Sequence, residues 1–354
     1  MTRRVQGADS ALAIHQRPVV RAGRPCNPSP TTAAELRDAA SEFLPLQQRE
    51  PAPPAPALSS AGRVVSTHGV RISVVIPTYN RLTWVREAVA SACMQRAVTC
   101  EIIVVDDGSS DGTAATLRHE YGARIRVIET PNRGVAAARN LGVAASSAEL
   151  IAFLDSDDLW MRDKLAAQAS YFVSHTDAEI CQTQEIWMRS GVRVNPCAHH
   201  RKPSGDIFEC SLRRCLVSPS AVLLRRSLFE RVGGFDESLP ACEDYDLWLR
   251  ILRDTPVWLI DRPLVIKRGG HDDQLSRRFW GMDRFRVAAL LRLLSEDNLP
   301  PLRRAATRRV LAEKCAVLAK GAARRGRHDE ADRYRMLAGV YQQATVGEAH
   351  PAHR

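Results

Sequence analysis

Two apolar, largely β-branched runs in this chain break directly into carboxylates. Ile102-Ile103-Val104-Val105 is followed by Asp106-Asp107-Gly108, and Ile151-Ala152-Phe153-Leu154 by Asp155-Ser156-Asp157-Asp158. A short apolar run bounded by turn residues is the pattern of a strand covered on both faces. Such strands, alternating with helical spacing, require a mostly parallel sheet with helices on both sides. The acids then stand at the carboxyl ends of their strands, where sheets of this kind bind ligands.

The neighbouring segments agree. ISVVIP, from Ile72 to Pro77, reads as a buried strand, and so do 101–107, 124–130 and 149–155. Between them lie helical stretches at 82–95, 110–121 and 134–145. The first sets Val85, Ala88, Val89 and Ala92 on one face, and the second opens with Ser and Asp caps. After Asp158 the pattern changes. A helix is expected over 163–175, short strands over 179–188 and 221–224, and helices over 227–232 and 245–252. From Phe279 onward the chain reads as helical, broken at Asn298-Leu299-Pro300-Pro301, with a hairpin of helices over 305–322 and 330–343.

Composition places limits at both ends. Residues 1–70 hold nine of the twenty prolines, and PAPPAPALSSAGR is a linker composition, so this segment is expected to be mostly disordered. No apolar run approaches the roughly 18 residues of a membrane span. The start, MTRRVQGADSALAIHQRP, lacks the apolar stretch of a secretory signal. Nine scattered cysteines without a C-x-x-C pair fit reduced thiols in a cytoplasmic setting. The net charge of +10 is local: residues 303–335 carry eleven Lys/Arg against four acids. Such a tail suits a peripheral contact with an anionic membrane at its inner face, and no nucleic-acid partner is expected.

Three carboxylates within four residues repel one another unless a cation or hydrogen-bond donors compensate. Hard divalent ions prefer carboxylate oxygen and bridge it to substrate phosphates, so a nucleotide diphosphate held through Mn2+ or Mg2+ is the economical reading. Other chemistries lack their motifs. The first strand-to-helix turn is PTYNR, without the Gly-rich fingerprint of a dinucleotide fold, and neither a P-loop nor a G-x-S-x-G elbow is present.

The series VVIPTYNR at 74–81, VVDDGSSDGT at 104–113, NRGVAAARN at 132–140, FLDSDD at 153–158, GGFDESL at 233–239 and CEDYDLWLR at 242–250 resembles the family-2 nucleotide-sugar glycosyltransferases, in that family's order. The resemblance covers roughly residues 71–275. It implies a GT-A fold, Rossmann-like with a mostly parallel sheet; outside it lie the segment 1–70, expected from its composition to be mostly disordered, and a basic helical extension over 276–354. It also implies roles. Pro77 and Tyr79 match the stretch that packs on the nucleotide base, and Asp107 the carboxylate that reads it. Arg139 matches an arginine near the donor. Asp155 and Asp157 are the ends of the D-x-D motif that holds ribose and metal–diphosphate, Asp158 shares the metal, and His271 touches metal or diphosphate. Asp244 matches the catalytic base, with Asp246 and Arg250 in support.

The chemistry suits these residue types. Direct transfer with inversion needs one base to take the acceptor proton, and a metal stabilises the leaving nucleoside diphosphate. The expectation is an inverting glycosyltransferase of the hexosyltransferase type, using a nucleotide-sugar, most simply a UDP-sugar. Its acceptor is a glycan, lipid-linked or other hydroxyl of cell-envelope polysaccharide biosynthesis. A nucleotidyltransferase and a non-catalytic partner that keeps the fold are the alternatives. Trp248, Trp258 and Trp280 are read as core residues.

Overall fold

The computed structural model describes residues 69–194, 202–271, 274 and 278–347. The expectation for the N-terminal segment therefore lies outside the described residues, except at its last two positions.

The first half alternates as the pattern requires. Strands β1 (Arg71–Thr78), β2 (Thr99–Asp106), β3 (Arg126–Glu129) and β4 (Leu150–Phe153) are parallel, β1 pairing with both β2 and β4. Helices α1 (Leu82–Cys93), α2 (Thr113–Tyr121) and α3 (Val135–Ala144) connect them. On β1, Ile72, Val74 and Ile76 enter one core layer and Val75 enters the other, the two-residue period of a strand buried on both faces. Helix α2 begins three residues later than expected. Gly112 takes a left-handed conformation (φ 79°) at the N-cap, and Asp111 before it accepts from the Thr113 N–H (3.2 Å) and hydroxyl (2.6 Å), so the acid precedes the helix and satisfies its first N–H.

The second half adds β5 (Leu159–Trp160), α4 (Lys164–Ser174), β6 (Ile180–Arg189), β7 (Val192–Arg193), α5 (Phe208–Arg213), β8 (Val222–Arg225), α6 (Arg226–Arg231), α7 (Glu243–Leu252) and β9 (Trp258–Gly269). The strand order is β3-β2-β1-β4-β8-β6-β9-β5, with β7 beside β6. Strand β8 is antiparallel to β4 and β6, β5 is antiparallel to β9, and β6 runs parallel to β9. The sheet is thus parallel on one side and mixed on the other. Strand β9 was not expected. Its sequence, WLIDRPLVIKRG, carries charges and Pro263 and shows no alternation. Pro263 sits beside an irregularity in the β6 register at Gln184, the kind of place where a sheet tolerates proline.

Helices α8 (Asp283–Ser295), α9 (Pro301–Arg324) and α10 (His328–Gly347) follow, the last two forming the expected hairpin. They are not a detached tail. Leu290, Leu293, Leu311 and Cys315 belong to the same buried cluster as Phe153, Phe235 and Trp248. The core expectation for tryptophan holds for Trp248 alone, since Trp258 and Trp280 are 37% and 41% exposed.

Among the described residues, no helix is long and apolar enough to cross a membrane.

Candidate active site

Three strand ends meet along one edge of the sheet. The β1–β2 register sets Thr78 beside Asp106, and Val75 pairs with Phe153, so both acid clusters project from the same rim. A cleft of about 1400 Å³ opens there. Pro77, Tyr79, Asp107, Arg139, Asp155, Asp157 and Asp244 all line it. Asp158 lies beneath it, fully buried.

The PTYNR turn forms the near wall. Asn80 has φ 49°, a conformation tolerated by Asn better than by most residues. Its side-chain oxygen accepts from Ser110 N–H (2.8 Å), while its own N–H donates to Ser109 Oγ (2.8 Å), tying this turn to the loop after β2. Tyr79 is left 43% exposed at the rim. Asp107 accepts from the backbone N–H groups of Arg133 and Gly134, both at 2.8 Å, and so caps α3 from within the cleft. Burial outweighs those bonds and raises its carboxyl above the usual range. Gly108 (φ 83°) keeps this turn tight, because an added Cβ would lie 3.0 Å from Asn132 N.

The acid cluster after β4 is charge-matched from every side. Asp155, Asp157 and Asp158 offer carboxylate oxygens within 4.8 Å of one another. Arg139, almost fully buried, bonds Asp155 (2.7 Å) and Glu243 (2.6 Å). Burial opposes ionisation of Asp155, but Arg139 and Lys267 prevail and hold its carboxyl below the usual range. Arg81 and His271 Nε2 both reach Asp157 Oδ2, at 2.9 and 3.0 Å. Asp158 accepts from Ser220 Oγ (2.6 Å), Lys267 Nζ (3.0 Å) and Arg268 N–H (3.1 Å). Its burial, against the pull of Lys267 and with the repulsion of Asp157 and Asp155, pushes its carboxyl up to about 7.

The carboxylate oxygens and the His271 imidazole are a donor set that fits a hard divalent cation, with Arg81, Arg139 and Lys267 already neutralising part of their charge. The three acids are not equivalent. Asp155 and Asp157 face the cleft, whereas the fully buried Asp158 is held by Ser220 and the part-buried Lys267.

Helix α7 supplies the opposite wall. Its first residue follows Cys242, whose φ of 63° is unusual for a non-glycine. That turn aims Glu243 inward at Arg139 and leaves Asp244 on the cleft. Asp244 Oδ2 accepts from the Cys215 thiol (3.5 Å). Burial, reinforced by Asp244, raises that thiol well above its usual pKa and keeps it protonated. Asp246 and Arg250 form a buried pair (2.7 Å), and Arg250 also donates to the carbonyls of Val232 and Gly234, bracing the Gly-Gly turn. They support the wall without lining it.

Several site residues were not singled out in the sequence. Lys267 and Glu185 come from β9 and β6, and Lys202 precedes α5. Lys202 and Glu185 form a buried pair (3.1 Å) at the far end of the cleft. The only advance signal for Lys267 was its place between an apolar run and His271. Arg81, visible in PTYNR, gained its meaning from Asp157.

A parallel half-sheet, a carboxylate-lined edge and a helix bearing an acidic pair across from it define a GT-A glycosyltransferase architecture. In agreement, S. aureus TarS 1-349, solved in complex with UDP-GlcNAc, superposes with a TM-score of 0.56 at 18% identity, covering 78% of this chain and 92% of that one. The model of glycosyl transferase family 2 matches residues 73–233, and that of the glycosyltransferase-like family 2 matches residues 213–288. An uncharacterized glycosyltransferase of Rickettsia typhi is 33% identical over 216 residues, 60% of this chain and 67% of that one. A longer one from Rickettsia felis is 33% identical over 217 residues, which are 58% of this chain and only 35% of that protein. The E. coli UDP-Glc:alpha-D-GlcNAc-diphosphoundecaprenol beta-1,3-glucosyltransferase WfgD is 29% identical over 191 residues, 54% of this chain and 73% of that one. The chain belongs to family 2 of the glycosyltransferases.

Proposed function

We propose that this protein is an inverting glycosyltransferase that moves a sugar from a UDP-sugar to a hydroxyl of a lipid-linked glycan, within a catalytic domain spanning residues 71–275. The observation that carries the reading is the convergence, in one cleft, of Asp107, Arg139, Asp155 and Asp157 with Asp244 on the opposite wall. The diphosphoundecaprenol acceptor in the name of WfgD and the UDP-GlcNAc bound to TarS support the choice of acceptor and donor.

In this reading Pro77 and Tyr79 pack on the base and Asp107 accepts from its N–H edge. Arg139 fixes Asp155 against the ribose. Asp157 and His271, with Asp155 adjoining, would hold Mn2+ or Mg2+, which when bound stabilises charge on the departing diphosphate. Asp158 holds Lys267 and the start of the following loop in place from below. Asp244 takes the proton from the acceptor hydroxyl as that oxygen attacks the anomeric carbon. The Cys215 thiol, held protonated, orients Asp244 Oδ2 and the Tyr245 N–H (2.7 Å) orients Oδ1, each oxygen keeping a lone pair for the acceptor. An anionic membrane is the surface on which such an acceptor is presented.

Nucleoside-diphosphate release from a panel of UDP-, GDP-, CMP- and dTDP-sugars, with Mn2+ or with EDTA, tests the reading. Metal-dependent UDP release that collapses in Asp244→Asn is the expected result. No release from any donor, together with no metal-dependent nucleotide binding by calorimetry, overturns it.

A further inference from the structure

The tail's positive charge is mostly spent inside the fold. Lys314 pairs with Asp283, Arg303 with Asp206, Arg309 with Glu209 and Arg335 with Asp332, while Arg304 donates to the carbonyls of Leu294 and Glu296. One place departs from this pattern. Around the half-exposed Trp280 stand three guanidiniums from separate parts of the C-terminal region. Arg284 of α8 lies 4.0 Å from the ring centroid, and Arg325 and Arg327 of the α9–α10 turn lie 5.0 and 4.8 Å from it.

Three cations around one indole are all within about 10 Å of one another, no farther than a Debye length at ordinary salt. Their repulsion is therefore not screened away. The indole offsets a part of it through its π face. Acids do little more. Glu330 meets Arg327 at 3.5 Å, and Asp283, the acid nearest Arg284 on α8, is already taken by Arg286 and Lys314. The Nε of Arg284 is buried without a hydrogen-bond partner. Among the described residues, two positive charges without a paired acid and an exposed amphipathic ring remain, the composition of a surface that meets phosphate at a water–apolar boundary.

Position identifies the occupant. Phe279 and Met282, on either side of Trp280 in the chain, line the cleft, as do Arg278 and Arg286. A basic track thus leads from the cleft out to Trp280. A soluble anion would need no such track and no exposed ring.

We propose that Trp280, Arg284, Arg325 and Arg327 form a docking site for an anionic phospholipid surface, with the indole at headgroup depth and the guanidiniums on lipid phosphates. The cleft mouth then faces the membrane from which a lipid-linked acceptor enters. The purpose of the site rests on the proposed acceptor, but the docking is measurable without it.

The test is co-sedimentation of the full chain with phosphatidylcholine vesicles, with and without one third phosphatidylglycerol, at low and high salt. Binding only to the anionic vesicles, weakened by salt, is expected. The triple variant Arg284→Gln, Arg325→Gln, Arg327→Gln should lose on the order of a hundredfold in partitioning. The pair Lys320→Gln, Arg333→Gln, which removes tail charge elsewhere, should keep most of it. Brominated lipid should quench tryptophan emission in the native chain and not in Trp280→Phe, a variant that leaves the cluster folded. Unaltered partitioning of the triple variant, equal binding to neutral vesicles, or displacement of vesicles by an RNA oligonucleotide or polyphosphate would overturn the proposal. Hydrolysis of the donor in solution should be the same in the triple variant and the native chain. If hydrolysis and metal-dependent nucleotide binding are both absent from both, the transferase reading fails and the docking result still stands.

Discussion

The guanidinium of Arg139 is clamped between Asp155, sixteen positions further on, and Glu243, 104 positions further on, with bonds of 2.7 and 2.6 Å. All three are largely buried, and the Phe235 ring lies 5.0 Å from the guanidinium carbon. This single side chain ties the end of β4 to the start of α7 and so sets the width of the cleft. Arg139→Met leaves the buried Glu243 uncompensated and Asp155 with Lys267 alone, and a loss of roughly 3–5 kcal/mol in stability is expected. Arg139→Lys keeps the charge but cannot fork to both acids, so it should recover part of the stability and little of the activity. Thermal melts paired with nucleotide-release rates separate the two effects.

Asp244 makes few contacts, so its removal should cost activity and spare the fold. Asp244→Asn is expected to lower transfer by about 10²–10⁴-fold, the usual reach of a general base, with the melting temperature unchanged. Retained transfer would remove Asp244 from the base role.

Asp157 and Asp158 should respond differently to substitution. Asp157→Ala should abolish Mn2+-dependent nucleotide binding in calorimetry while the fold persists. Asp158→Asn removes the nearer of two carboxylate partners of the part-buried Lys267, Asp155 remaining at 3.7 Å, and the main loss should be about 1–3 kcal/mol of stability. Equal loss of ion binding at intact stability in both variants would place Asp158 among the metal ligands.

Gly142, within α3, lets that helix lie directly on β1. An added Cβ would stand 2.3 Å from Val75 Cγ1 and 3.2 Å from Val105 Cγ2. Both valines are packed in the sheet and have no room to yield. Gly142→Ala should therefore destabilise by about 1–3 kcal/mol despite its better helix propensity, as measured by denaturant midpoint.

Lys164 is fully buried. Its ammonium has the Val222 carbonyl at 3.1 Å and the Trp160 ring at 4.0 Å, and no carboxylate pairs with it among the described residues. Burial drives its pKa well below 10.5. The unfolded chain then binds more protons than the folded one between the depressed value and 10.5, so stability rises with pH across that window and falls as the pH drops. Each unit of depression is worth about 1.4 kcal/mol. Lys164→Met should raise the melting temperature at neutral pH, by about 2–4 °C per kcal/mol for a domain of this size, and the gain should shrink near pH 10. A gain independent of pH would mean that packing, and not charge, is responsible.

Much of this was legible in the chain. The apolar runs could only be buried strands, and their acids could only stand at the carboxyl edge, because the period of a parallel strand and the position of its turn are local properties. The motif order from PTYNR to CEDYDLWLR added the family and named Asp107, Arg139, Asp155, Asp157 and Asp244, all of which line one cleft. The mixed half of the sheet was not legible. Strand β9 has no alternation of its own and exists because β6 pairs with it, so Lys267 and the start of the His271 loop arrive at the acid cluster from more than a hundred positions away. The same holds for Asp158. The sequence offered it as a metal ligand beside Asp157 and left open which acid of the cluster binds the ion, and only the tertiary structure shows Ser220 and Lys267 packed on its carboxylate. Sequence by itself determined which groups stand at the rim, through periodicity and turn chemistry. Tertiary structure decided which charges face one another, because burial and distance, which set their energies, are created by contacts between distant segments.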